Sequence, residues 1–247
     1  MTIEQQLEAV IDRDGTIHLT LIDPDSQLPE EAGHIARRAA RGGTAAILVG
    51  GSVGVGGLGL DHTVNAIKDS TDIPVIIFPS DVGTVSSKAD AIFFLCLLNS
   101  RNVAYLTTNQ ALGAVFIKKY GIEPIPVAYI IVEPGGTVGW VGDARLIPRE
   151  KPEIAAAYAL AGKYLGMRWI YLEAGSGASE SVPPEMVSAV KKAVEGTKLI
   201  VGGGIKTDQQ AKLLSEAGAD VIVTGTAIEQ NNDVESKIDS FVRAIQR

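Results

Sequence analysis

The sequence predicts an α/β protein, a (β/α)8 TIM barrel forming one domain over residues 1–247, and three observations carry that prediction. Apolar, β-rich runs recur about eight times, with helical patterns between them. Near the C-terminus, KLIVGGGIKTDQQAKLLSEAGADVIVTGTAIE (Lys198–Glu229) holds two consecutive β/α units, and each strand ends in a glycine-bearing turn before a helix. The chain length, 247 residues, is that of one such barrel. In this fold the loops after strands seven and eight commonly form a phosphate clamp. Gly202, Gly203 and Gly204 follow the run LIV and Gly225 follows VIVT, so bare backbone N–H groups can approach an anion at both turns.

Taken in order, strands are expected at Ile17–Ile22, Ala45–Val49, Val75–Phe78, Ala91–Leu95, Val127–Val132, Trp169–Leu172, Leu199–Val201 and Val221–Thr224. Helical periodicity runs through Pro29–Arg41, Asp61–Asp69, Asn109–Tyr120, Pro152–Leu165, Pro184–Val194, Thr207–Ala217 and Asp233–Ile245. Pro152 and Pro184 suit a first helical turn, Thr207 and Asp208 can cap orphan N–H groups, and Gly121 and Gly218 suit C-terminal caps. One unit departs from the pattern. Between Phe78 and Ala91 the chain reads PSDVGTVSSKAD, too short and too rich in Ser, Gly and Asp for a crossover helix, so the third helix is expected to be missing or reduced to a turn.

A net charge of -7 and a pI near 5.0 exclude a general polyanion binder, so no nucleic-acid partner is expected. The single cysteine, Cys96, lies in the apolar run AIFFLCLL, where it reads as a packing residue. The start, MTIEQQLEAVIDRDG, is amphipathic and acidic rather than basic and then apolar. No apolar run approaches the ~18 residues of a membrane span, so a cytoplasmic protein without a membrane segment is expected. Gly54–Gly59, GVGGLG, satisfies the dinucleotide pattern G-x-G-x-x-G, with Asp81 at about the spacing a ribose needs. The strand before it ends at Gly50, however, so the pattern comes several residues late for the tight first turn. It arises easily in a chain with 27 glycines.

Several side chains stand where a barrel holds its chemistry. The first strand exits into IDPDS, and a carboxylate at such a strand end is well placed to hold a divalent cation. Asp23 is the candidate, against the alternative that Asp25 or Ser26 simply caps the next helix. After strand two, VGGS offers Ser52 as an oxygen ligand or as an idle loop serine. The sixth strand ends WIYLEAGSGA, where alternation places Tyr171 and Glu173 on one face. Glu173 is a candidate general base and Tyr171 a candidate hydrogen-bond donor, against the alternative that Glu173 pairs with an arginine. His18, His34 and His62 read as packing or surface groups. Strand four runs from FFLCLL into LNSRN, with Asn99, Ser100, Asn102 and then Tyr105, either simple core or an apolar groove beside a polar mouth. Trp140, in GGTVGWVGDARLIP, reads as a subunit anchor or a lid.

Together LIDPDS, VGGS, IFPS, LLNSRN, YLEAGSGA, VGGGI and VTGTAIE resemble the archaeal geranylgeranylglyceryl phosphate synthase family, relatives of the bacterial heptaprenylglyceryl phosphate synthases, over nearly the whole chain. The resemblance implies a barrel with its third helix replaced. It implies a prenyltransferase of ether-lipid biosynthesis that joins the C3 hydroxyl of sn-glycerol 1-phosphate to geranylgeranyl diphosphate. It assigns Mg2+ as the cofactor, with Asp23 and Ser52 as its ligands. It assigns Tyr171, Leu172, Glu173, Ala174, Gly175, Ser176, Gly177, Gly202, Gly203, Thr224 and Gly225 to sn-glycerol 1-phosphate, and dimers or hexamers as the assembly. Asn99 and Tyr105 are the expected walls of a prenyl groove. One departure stands out: bacterial relatives read KLDPDK where this chain has LIDPDS, which removes a lysine near the phosphates. Two other classes fit the same clamp, a phosphosugar isomerase and a non-enzymatic phosphate-binding module. The isomerase needs neither a metal nor an apolar groove, and the binding module would hold glycerol phosphate without forming a product.

Overall fold

The computed structural model describes residues 1–51, 57–229 and 233–246. Eight strands close into a parallel barrel in sequence order: β1 Ile17–Ile22, β2 Ala46–Val49, β3 Val75–Ile77, β4 Ala91–Leu97, β5 Glu123–Ile131, β6 Trp169–Glu173, β7 Lys198–Gly202 and β8 Val221–Thr224. Around them lie α1 Ile3–Asp14, α2 Pro29–Arg41, α3 Leu58–Lys68, α4 Thr108–Tyr120, α5 Gly136–Val141, α6 Pro152–Tyr164, α7 Pro184–Ala193, α8 Asp208–Glu216, α9 Thr226–Glu229 and α10 Val234–Ile245. Among the described residues no helix is long and apolar enough to cross a membrane.

Alternation along the strands makes two apolar layers. Leu19, Leu48, Ile76, Phe93, Val127, Trp169, Ile200 and Val221 fill the barrel. Ile22, Val49, Ile77, Ile130, Leu172, Val201 and Ile222 face outward onto helix residues such as Ala36, Val64, Ala159, Val187 and Ile238. His18 belongs to the outer set: buried against Phe241 of α10, with rings stacked at 5.8 Å, it bonds Thr44 Oγ1 at 3.0 Å and Thr224 Oγ1 at 2.8 Å. Burial pushes its pKa down to about 3, so it is a neutral packing group.

Helix ends follow local chemistry. Thr207 and Gln210 form a capping box at α8, and Gly121 closes α4 in the left-handed conformation that its lack of Cβ allows. Neither Asp25 nor Ser26 caps α2, whose N-cap is Leu28 without a side-chain bond. The N-terminal α1 covers the bottom of the barrel. Its Leu7 and Ile11 join the interior core, and its Glu4 accepts from Arg168 Nε and Nη2, both at 2.7 Å, and from Trp169 Nε1 at 2.8 Å.

As expected from PSDVGTVSSKAD, no helix intervenes between β3 and β4. Residues 78–90 fold as turns pinned by polar side chains. Thr84 Oγ1 accepts from the Ser80 and Asp81 N–H groups at 3.0 and 3.2 Å, Asp90 takes the Val75 N–H at 2.9 Å, and Asp90 pairs with Lys68 at 2.5 Å. Strand five starts four residues earlier than its sequence predicts, through the prolines of EPIPV. The Glu123 N–H faces β4, bonding Asp90 O, so Pro124 and Pro126 face the other way. On that side β6 pairs only from Val127 onward, and no ladder bond is lost.

Candidate active site

The C-terminal ends of the strands open into a cavity of about 790 Å³. Inward-facing positions at that level carry either a chemical group or no side chain at all: Asp23 follows β1, Gly50 follows β2, Glu173 ends β6, Gly202 ends β7 and Gly225 follows β8. The glycines are needed for space. A Cβ at Gly202 would overlap the Tyr171 hydroxyl, and one at Gly203 the Glu173 carboxylate. Gly203 also sits at φ 80°, where other residues are strained. Among the described residues, none accepts from the N–H groups of Gly203, Gly204 or Gly225, so both turns present unused donors to the cavity.

Glu173 is 6% exposed, and among the described residues no arginine or lysine pairs with it. Its Oε1 accepts from the Gly175 N–H at 2.6 Å. Burial pushes its pKa up to about 7, against the Gly175 N–H and the hydroxyls of Tyr171 and Tyr129, which favour the charged form. Both phenols are held well above the ordinary tyrosine value, first by burial and then by the Glu173 charge, so they stay protonated and donate. A carboxylate poised near neutrality and oriented by three donors can take a proton from a nearby hydroxyl.

Tyr129 is the residue that sequence reading missed. It pairs in register with Tyr171 across β5 and β6, and the rings meet edge to face at 5.1 Å. Phe78 packs edge-on against both, at 5.6 Å from each, so three rings form the floor beneath the carboxylate. The signal was present in VAYII, whose alternation puts Tyr129 on the inward face with Val127 and Ile131.

The other expected residues divide. Ser176, Gly177, Gly203, Thr224 and Gly225 line the cavity, with Ser176 Oγ 3.2 Å from Thr226 Oγ1 across the strand-eight turn. The Thr224 hydroxyl is engaged by His18, and the side chains of Leu172 and Ala174 belong to the outer core layer. Neither Leu172 nor Ala174 lines the cavity, and the Ala174 N–H and carbonyl are taken by Gly202 O and the Gly135 N–H, which corrects their expected place at the substrate. Asp23 is half-buried at the cavity wall, where its Oδ1 accepts from the Asp25 N–H at 3.0 Å and burial raises its pKa. Ser52 and the first half of the GVGGLG run lie outside the described residues.

Away from the polar end, the cavity turns apolar. Phe94, Val85 and Ile117 line it on the outer side of β4, where the third helix would have packed, and Val82, Tyr105 and Gly113 border it. Tyr105 is therefore on a cavity wall, in a 3-10 turn. Asn99 is not: its Nδ2 donates to Ile131 O and Arg145 O, both at 2.9 Å, and its Oδ1 accepts from Ile131 N at 3.1 Å. A side-chain amide so fully engaged ties β5 to the segment after α5 and corrects its expected place in a groove. Trp140, on α5, is 84% exposed.

Known proteins place this architecture. At 44% identity, a crystal structure of (S)-3-O-geranylgeranylglyceryl phosphate synthase from Thermoplasma acidophilum in complex with substrate sn-glycerol-1-phosphate superposes with a TM-score of 0.95, covering 100% of this chain and 99% of that one. An archaeal fructose 1,6-bisphosphate aldolase, 16% identical with a TM-score of 0.65, shares the fold alone. In sequence, the geranylgeranylglyceryl phosphate synthase of Methanococcoides burtonii is 58% identical over the full length of both chains. That of Methanothrix thermoacetophila is 60% identical over 98% of this chain and 95% of its own. The PcrB family profile matches residues 9–245, and the chain belongs to the PcrB family, together with these geranylgeranylglyceryl phosphate synthases.

Proposed function

We propose that the protein is a prenyltransferase that forms the ether bond between the C3 hydroxyl of sn-glycerol 1-phosphate and C1 of geranylgeranyl diphosphate, releasing diphosphate. The observation that carries this reading is the bipartite cavity, with an anion seat and a carboxylate at one end and an apolar slot at the other. An isomerase of phosphorylated sugars has no use for the slot.

In this mechanism the acceptor's phosphate sits on the unused N–H groups of Gly203, Gly204 and Gly225. That seat fixes the glycerol chain so that its C3 hydroxyl lies against Glu173. As the bond from C1 to the diphosphate oxygen breaks, C1 develops allylic cation character and the hydroxyl oxygen bonds to it. Glu173 takes the hydroxyl proton. Burial makes the carboxylate basic enough to accept, while Tyr171 and Tyr129 favour its ionised form. The apolar rings of Phe78, Tyr129 and Tyr171 exclude water that would otherwise capture the cation.

The residues present fit magnesium. Asp23 offers one hard carboxylate oxygen at the cavity wall, and the bare Gly51 backbone packs against it where a Cβ would overlap. Among the described residues no group of three or more His, Cys, Asp or Glu forms a protein-only metal cage. Magnesium characteristically needs none, using one or two carboxylates together with substrate phosphates and water. When bound, the ion would supply charge neutralisation to the departing diphosphate. The protein works as a homo-oligomer in this reading, supported by the exposed Trp140.

The deciding experiment is one incubation of purified protein with magnesium, radiolabelled sn-glycerol 1-phosphate and prenyl diphosphates of graded length. Label transferred to an organic-extractable product, greatest with the twenty-carbon donor, supports the reading. Label that stays aqueous with every donor refutes it.

A further inference from the structure

The polar end of the cavity carries Asp23 and Glu173, two carboxyl groups beside a site for a phosphate ester. Anion binding there needs positive charge. The first-strand loop LIDPDS does not provide it, since it holds no lysine or arginine and brings Asp23 and Ser26 to the cavity. Among the described residues, the cationic side chains lining the cavity are Lys206 and Lys237. Lys206 is exposed, and its ammonium reaches the Ser179 carbonyl only at 3.4 Å.

Lys237 is held differently. It belongs to α10, beyond both glycine turns in the chain, and is partly buried. Its Nζ donates to Lys206 O at 3.0 Å, which ties it to the segment that continues from Gly203 and Gly204. The same ammonium lies 4.6 Å from the centre of the Phe241 ring. That ring is itself fixed, fully buried and stacked on His18, whose other partner is Thr224 at the end of β8. A charge placed over an aromatic face and bonded to one carbonyl has lost much of its conformational freedom before any ligand arrives. An ammonium has three donors, so two remain for an anion after the bond to Lys206 O.

We propose that Lys237 is the phosphate-binding cation of the acceptor seat, reaching from α10 to neutralise the phosphate held by the strand-seven and strand-eight turns. It supplies from the C-terminal helix the charge that LIDPDS lacks. The proposal rests on the function proposed above for the identity of the ester. The chemistry, a phosphate monoester dianion met by one fixed ammonium and a set of backbone N–H groups, is independent of the prenyl donor.

The test uses full-length protein and its Lys237→Met and Lys237→Arg variants. Methionine keeps an apolar stem over Phe241 without the charge, and arginine keeps the charge. Calorimetric titration with inorganic phosphate and with sn-glycerol 1-phosphate is expected to show affinity roughly 10- to 100-fold weaker in Lys237→Met, with most of it recovered in Lys237→Arg. In turnover, the KM for sn-glycerol 1-phosphate rises while kcat at saturation is retained. Unchanged affinity in Lys237→Met, or a loss confined to kcat, overturns the proposal. If Lys237→Met does not fold, Lys237→Gln takes its place in the same titration. Wild-type protein that binds phosphate yet makes no ether product would refute the function proposed above, while the titrations would still decide the role of Lys237.

Discussion

The two ends of this barrel each bury a glutamate, and they treat it in opposite ways. At the closed end Glu4 receives a bidentate guanidinium and an indole N–H, and the neighbouring N–H groups of Ile3 and Glu4 are taken by Glu123 at 2.6 and 2.9 Å. At the open end Glu173 has one backbone N–H and two phenols and, among the described residues, no cation, and burial pushes its pKa up to about 7. The first arrangement satisfies a charge so that α1 stays docked. The second leaves a charge under-compensated, which makes it reactive. Ionisation is easy where partners are strong, and proton capture is useful where they are weak.

The largest effect expected from breaking this contrast is at Glu173. Glu173→Gln should cost about 10²–10⁴ in kcat with saturating substrates, the scale of a general base. Near-full turnover would remove Glu173 from that role. In wild type, kcat/KM should fall as pH drops below about 7, because the protonated carboxyl cannot accept. Stability moves the other way. The folded pKa lies above the unfolded value, so the folded state keeps a proton that the unfolded chain has released between about pH 4.5 and 7, and stability falls as pH rises through that window. Glu173→Gln should therefore be more stable than wild type at pH 8, by roughly 3 kcal/mol, and match it near pH 4. A melting point that does not change between these pH values would show that the carboxyl is better compensated than its surroundings indicate.

At the closed end the signs reverse. Glu4→Ala leaves the buried Trp169 indole N–H unpartnered and frees a half-exposed guanidinium to water, and should destabilise by about 1–3 kcal/mol in chemical denaturation, with kcat unchanged in the protein that remains folded. A comparable loss of kcat would mean that the two ends are coupled. Smaller again is Tyr105→Ala, which enlarges the apolar slot and should shift the preferred donor to longer chains by a few-fold in kcat/KM, measured across prenyl diphosphates. Unchanged chain-length preference would take Tyr105 off the slot wall. Least in energy, Trp140→Ala should lower the oligomer mass seen by light scattering, and an unchanged mass would count against the tryptophan as an anchor.

Features set by local chemistry could be read from the sequence. The alternation of Tyr171 and Glu173, the glycine turns at Gly202–Gly204 and Gly225, and the missing third helix each depend on a few adjacent residues. What could not be read depends on packing between distant segments. The expected strand five begins only at Val127 because the absent β6 partner on the side of Pro124 and Pro126 is a property of register. Asn99 looked like a polar mouth residue because nothing local shows that Ile131 and Arg145 will claim its amide. Tyr129 was legible as inward-facing but not as a partner of Glu173. Lys237 was illegible, since only the docking of α10 brings it over the strand-seven turn.

The stretch between β3 and β4, where turns replace a helix, has a thermodynamic consequence. Elsewhere around the barrel the outward faces of the strands are covered by the protein's own helices, but Phe94 and Val85 border a slot that a prenyl tail would fill. Under the proposed function, the substrate then completes the outer core layer, and its isoprene units bury surface that another barrel buries in folding. Ligand binding and folding thus share one free energy. The melting temperature should climb with donor concentration, and more steeply for tails long enough to run the full length of the slot.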